Sequence, residues 1–77
     1  MSLYRVELII PRALGSTTHH TTIEAENENR AIIGAVHHFR NLSAFERPAV
    51  VSLLRLFQDD DPEPLASSRY IPPEVWE

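Results

Sequence analysis

The sequence predicts a small α+β domain. The expected order is β-β-α-β in two layers, one helix packed on a three-stranded sheet, followed by an acidic, proline-containing C-terminal tail. Three observations carry that prediction. Two β-rich runs precede a single stretch with helical apolar spacing. One strongly apolar run follows it, and the charge balance changes sign near Gln58.

The stretch Ile23 to Leu42 organises the rest. Thr21, Thr22 and Ile23 are β-branched and suit the end of a strand. Asn27 offers a side-chain oxygen to the free amides of a first helical turn, which makes it the N-cap. Glu26 and Glu28 lie near the positive end of the helix dipole, where negative charge is favoured. Ala31, Ile32, Ala35, Val36, Phe39 and Leu42 then repeat at three and four residues and form one apolar stripe. Arg30, Gly34, His37 and Asn41 fall on the opposite side. Gly34 there costs about 1 kcal/mol relative to alanine, and either is tolerated at the surface or marks close approach by another backbone.

The first strand is expected over Leu3 to Ile10, with Tyr4, Val6, Leu8 and Ile10 on one face and Leu3, Arg5, Glu7 and Ile9 on the other. Pro11 should stop it. Thr17 to Ala25 is the second, antiparallel to the first, its odd-numbered residues facing the helix. Rich in threonine and histidine, it reads as an edge strand whose polar groups blunt unwanted pairing. Ser43 with Glu46 resembles a capping box for one further turn, with Phe45 tucked beneath. The third strand is expected over Ala49 to Gln58, apolar on both faces, beside the first strand. A helix crossing between strands two and three suggests that its pairing is parallel or mixed, with a right-handed crossover.

On that reading the second sheet face carries Leu3, Ile9, Val51, Leu53 and Phe57. A patch of that kind seldom stays open to water, so the tail, a second copy or a partner should cover it. The expected domain is 1-58, and 59-77 is an acidic linker with an aromatic end. The run Asp59-Asp60-Asp61-Pro62-Glu63-Pro64 reads as an extended acidic linker. Leu65, Tyr70, Ile71, Val75 and the single tryptophan, Trp76, follow. The tail is expected to pack on this chain or a second copy; the alternative is a mobile tail that orders on a partner.

Composition bounds the function. At 77 residues the chain is one domain, and a domain this short buries only about 60% of its unfolded surface. With no cysteine there is no disulfide or thiolate metal site. No apolar run approaches the roughly 20 residues that span a membrane, and no secretory signal pattern follows Met1, so a cytoplasmic, soluble protein is the expectation. Through Phe57 the chain holds five acids (Glu7, Glu24, Glu26, Glu28, Glu46) against six arginines. From Gln58 it holds six acids against one arginine, so the net charge of -4 belongs to the tail. That balance argues against a nucleic-acid partner. All cations are arginine, so any cationic contact can be bidentate.

Catalytic signatures are sparse. His19-His20 point to opposite strand faces, and His37-His38 lie about 100° apart on the helix. Neither pair has the i, i+4 spacing of a helical zinc site, and a site joining His19 to His38 would need a carboxylate to complete it. Asp59, Asp60, Asp61 and Glu63 lack the alternation and central glycine of a calcium loop. Gly15 and Gly34 are the only glycines, too few for a phosphate loop. No enzyme, metal or cofactor is expected.

The run Thr21-Thr22-Ile23-Glu24-Ala25-Glu26, followed by Ala31, resembles the strand-to-helix junction of some small phage-encoded anti-CRISPR proteins. The resemblance covers about a dozen residues. It implies a non-catalytic inhibitor that occupies the surface of a CRISPR surveillance complex. The chain departs from the basic members of that group, since it has no lysine, and no binding residues carry over.

The expectation is therefore a non-enzymatic protein-protein interaction module, possible as a phage or mobile-element inhibitor of a larger host complex and as a homodimer. Its partner-binding residues would be Tyr70, Ile71, Val75 and Trp76, with Asp59, Asp60 and Asp61 steering a basic partner, together with the second sheet face. The alternatives are a histidine-based metal-binding or self-assembling structural protein, and a nucleic-acid binder using Arg5, Arg12, Arg40 and Arg47.

Overall fold

The computed structural model describes all 77 residues. Five elements carry the fold: strand β1 (Ser2–Arg12), strand β2 (Gly15–Ala25), helix α1 (Glu28–Arg40), strand β3 (Ser52–Gln58) and strand β4 (Arg69–Ile71). A 3-10 turn at Pro73–Trp76 closes the chain. The sheet has four strands rather than the three expected, in the order β2-β1-β3-β4. Every neighbouring pair is antiparallel.

The parallel or mixed pairing expected for β3 is corrected by its neighbour. β2 and β3 do run in the same direction, as a connection through a helix tends to produce, but β1 lies between them. β3 therefore pairs antiparallel with the free edge of β1, from Tyr4↔Gln58 to Ile9↔Leu53. Pro11 does not end β1, which continues to Arg12. Pairing with β3 has already finished at Ile9, so the missing amide of Pro11 costs no bond on that side. The hairpin turns at Ala13 and Leu14, neither of which has positive φ. Gly15 supplies the left-handed conformation instead, at φ 101°, where a side chain would be strained.

Helix α1 begins as its sequence dictates. Asn27 is extended, and its Oδ1 accepts a hydrogen bond from the Arg30 amide at 2.9 Å. Ala31, Ile32, Ala35 and Phe39 are its buried residues. Leu42 lies past the helix end and is partly exposed. Gly34, expected on the outer side, faces the sheet: a Cβ there would stand 3.3 Å from Cγ2 of Ile23. The close approach is thus between α1 and β2 of the same chain. The segment after Asn41 makes turns but no helix, so the Ser43–Glu46 cap has nothing to cap. Phe45 is tucked in as expected, half-buried against the core.

The C-terminal segment packs on this chain, as expected, but it does so as a fourth strand and as part of the core. Residues 59–77 do not stand apart from a 1–58 domain. After a turn at Asp59–Asp61 the chain runs back along β3: the Leu65 amide donates to the Leu56 carbonyl at 2.7 Å, and the Leu56 amide donates to Ser68 Oγ at 2.9 Å. β4 then pairs Ile71 with Ser52 and Tyr70 with Leu53. Trp76 ends 0% exposed, its ring 5.2 Å from that of Phe45. The core lies between the inner sheet face (Val6, Leu8, Ile10, Leu54, Leu56) and a cover made of α1 with Trp76.

A buried tryptophan removes about 150–250 Å² from water, worth roughly 4–6 kcal/mol at about 25 cal/mol per Å². Trp76→Ala is expected to lower unfolding stability by about 3–5 kcal/mol in urea titrations followed by circular dichroism. Fluorescence gives the companion readout. Wild-type emission should be blue-shifted and move red in one transition coincident with loss of the sheet.

Candidate interaction surface

The outer face of the sheet is open on one side of the molecule, and its register sets out the side chains in rows. One row across all four strands is Thr18, Ile9, Leu53 and Tyr70. The next is His20, Glu7 and Arg55, and the third is Thr22, Arg5 and Phe57. The middle of this face is therefore charged. Glu7 stands 3.7 Å from His20 and 3.5 Å from Arg55. Phe57 lies between two guanidiniums, Arg5 at 4.8 Å and Arg55 at 5.2 Å from its ring centre.

This arrangement corrects the continuous apolar patch expected on the second face. Phe57 is buried, beneath those arginines and beside Pro64, with which it forms an isolated bridge. Leu3 lies at the far end of β1, and Val51 precedes β3 rather than belonging to it. What remains apolar on this face is the row of Ile9 and Leu53, extended by Val51 and by Tyr70, which is 71% exposed. The charged row was open to inference from the sequence. Arg5 and Glu7 share a face by alternation, as do Arg55 and Phe57, and only the register between the two strands was missing.

Arg5 is not a free cation. Its Nε and Nη2 donate to the backbone carbonyls of Asp59 and Asp61, at 2.8 and 2.7 Å. The carboxylates of Asp59 and Asp60 are left to solvent, while Asp61 Oδ1 accepts from the Glu63 amide at 3.0 Å. The acidic stretch is thus held as a turn at Asp59–Asp61 rather than as the extended linker expected. Of the four tail residues expected to bind a partner, Tyr70 and Val75 are exposed. Ile71 and Trp76 are in this chain's own core and are withdrawn from that role.

A second apolar region went unrecognised in the sequence. Ile32, Ile33 and Val36 of α1 face Ile71 and Val75 across a groove rimmed by His37, Arg40 and Arg69. Ile33 is 56% exposed. It stands outside the main apolar stripe, and that displacement was its only signal. Tyr70 on the outer face and this groove on the inner side flank the same short strand, β4.

The histidines go to separate tasks. His19 packs between Phe39 and Phe45, with ring centres 6.0 and 5.4 Å away. His20 borders Glu7, and His38 meets the edge of Phe39. No three histidine, aspartate or glutamate side chains converge on one point, and the rings of His19 and His38 each lie against Phe39. Arg12 reaches Thr17 and, at 3.9 Å, Glu46, while Arg40 donates to the Glu77 carbonyl. Of the arginines named for a nucleic-acid site, Arg5, Arg12 and Arg40 are therefore engaged with separate parts of this chain. No helix is long and apolar enough to cross a membrane.

Fold and surface together define a small α+β domain with a four-stranded antiparallel sheet. No family model matches the chain, and no curated protein or solved structure matches it.

Exposed ion pairs contribute about 0–1 kcal/mol, whereas burying an aromatic ring contributes several. Glu7→Gln should therefore shift the urea midpoint little. Phe57→Ala should cost about 3 kcal/mol or more, read by the same titration. A larger loss for Glu7→Gln than for Phe57→Ala would show that the charged row, and not the ring beneath the arginines, holds this face.

Proposed function

We propose that this chain is a non-enzymatic protein-interaction module that docks a partner at β4. The observation that supports it is the gathering of exposed apolar side chains around a strand of three residues: Tyr70 on one side, Ile33 and Val75 on the other. Single exposed apolar residues are ordinary, but a cluster rimmed by polar groups marks a contact surface. Tyrosine offers a large, stiff, amphipathic anchor, and arginine at a rim offers bidentate pairing. Arg40 and Arg69 supply that rim here.

The acidic turn belongs to the same reading as a steering element for a basic region of the partner. β4 pairs with the start of β3, and Asp59 follows its end. Six residue steps of about 3.3 Å each lead from Leu53 to Asp59, so a partner reading both would span roughly 20 Å. The narrower form of the proposal, an inhibitor of a large host complex from a phage or mobile element, is supported only by the junction at Thr21–Glu26.

Cross-linked capture from the native host's lysate, with the full chain and its Tyr70→Ser and Ile33→Ser variants, tests the reading. A defined partner should be captured by the native chain and bound about tenfold or more weakly by Tyr70→Ser. Asp59→Asn with Asp60→Asn should slow association at low salt and leave dissociation unchanged. Undiminished capture by both β4 variants would contradict the proposal.

A further inference from the structure

The two edges of the sheet are treated differently. β4 is short, is followed by Pro72 and Pro73, and carries Arg69, all features that discourage another strand from pairing. β2 has none of these. It is eleven residues long and contains no proline, lysine or arginine. Its one formal charge, Glu24, lies next to its last residue. Antiparallel pairing with β1 is unbroken from Ser2↔Ala25 to Arg12↔Gly15, so no bulge twists this edge away. A row of threonines limits apolar sticking, but it leaves the outward main-chain donors and acceptors open.

We propose that β2 is a self-association edge. Two copies pair antiparallel along Gly15–Ala25 about a twofold axis at His20, joining two four-stranded sheets into one of eight strands. The residue pattern argues for a second copy as the occupant. Pairing all eleven residues puts the axis at His20, midway along the strand. An axis normal to the sheet keeps inner residues opposite inner ones and outer opposite outer, as antiparallel pairing requires. On the outer face Thr18 then meets the partner's Thr22, and Ser16 meets the partner's Glu24. On the inner face Thr17 meets the partner's Ile23. These pairs join β-branched residues or hydrogen-bonding groups, and no like charges stand opposite each other. His20 meets its own copy at the axis, each flanked by its own Glu7 at 3.7 Å. The pairing does not rest on the proposed β4 surface, which lies at the opposite edge and stays free on both copies.

Sedimentation equilibrium of the full chain over a concentration series reads the association directly. The mass should rise from one chain to two and stop there. Thr18→Glu with Thr22→Glu places like charges opposite across the axis and should weaken the dimer about tenfold. Thr18→Lys with Thr22→Glu places opposite charges there and should restore it, which only this register does. Both changes are at exposed positions, and circular dichroism checks that each variant keeps its fold. For the native chain, amide exchange adds an independent readout: alternate β2 amides should gain protection as concentration rises. A single-chain mass up to the solubility limit would overturn the proposal. So would a dimer indifferent to the paired glutamates, a lysine-glutamate variant that fails to recover, or β2 protection independent of concentration. A strand of a different protein on this edge would appear as that single-chain mass in the pure sample.

Discussion

The burial of Trp76 against Phe45 is the contact on which the rest depends. Helix α1 packs chiefly over β2 and β1 and leaves the β3 side of the inner face in need of cover. In a chain of 77 residues few large side chains are available to supply it. The C-terminal segment does so by running back along β3 and setting the indole inside. The arrangement has a cost. Trp76 Nε1 and Ser52 Oγ are buried without hydrogen-bond partners. Each such group costs about 1–3 kcal/mol. The tryptophan's own gain of roughly 4–6 kcal/mol exceeds the penalty on its own nitrogen, so burial prevails at this site.

That closure also shapes the surface. Because the segment must return along β3, Asp59–Asp61 becomes a turn held by Arg5, and Phe57 acquires a roof from Arg5, Arg55 and Pro64. Because it ends as a three-residue strand, one edge of the sheet is short and guarded, with Tyr70 standing out from it. The opposite edge stays long. One guarded and one open edge are the features on which the proposed contact at β4 and the proposed self-pairing at β2 rest.

Much of the fold was legible in residues whose reasons are local. Asn27 names the helix start, the period of Ala31, Ile32, Ala35 and Phe39 names its buried side, and Tyr4, Val6, Leu8 and Ile10 alternate as a half-buried strand must. Position beside a neighbour was less legible. β3 could be seen to lie beside β1, but its direction was inferred from the helix connection rather than from the strand it would meet. β4 was hidden because three residues between two serines and two prolines give no periodic signal, and its ladder depends on Ser52–Leu54 more than on itself. Trp76 was read both as part of a tail that packs and as a partner-binding residue, because an aromatic near a chain end has the same sequence appearance whether it binds out or packs in. The surface shared that difficulty. Tyr70 was found from its residue type alone, whereas the Glu7 row and the Ile33 groove exist only through register and packing.

Native-state hydrogen exchange tests most directly whether residues 59–77 are part of one cooperative domain. The amides of Leu65 and of Arg69–Ile71 that bond to β3 are to be compared with those of the β1–β3 ladder as denaturant is raised. The account predicts that the two sets merge into one global unfolding event at low denaturant, since the ladder cannot keep its core without Trp76. Exchange of the C-terminal set through a separate, low-energy opening while the ladder stays protected would contradict it, and would make the segment a detachable tail.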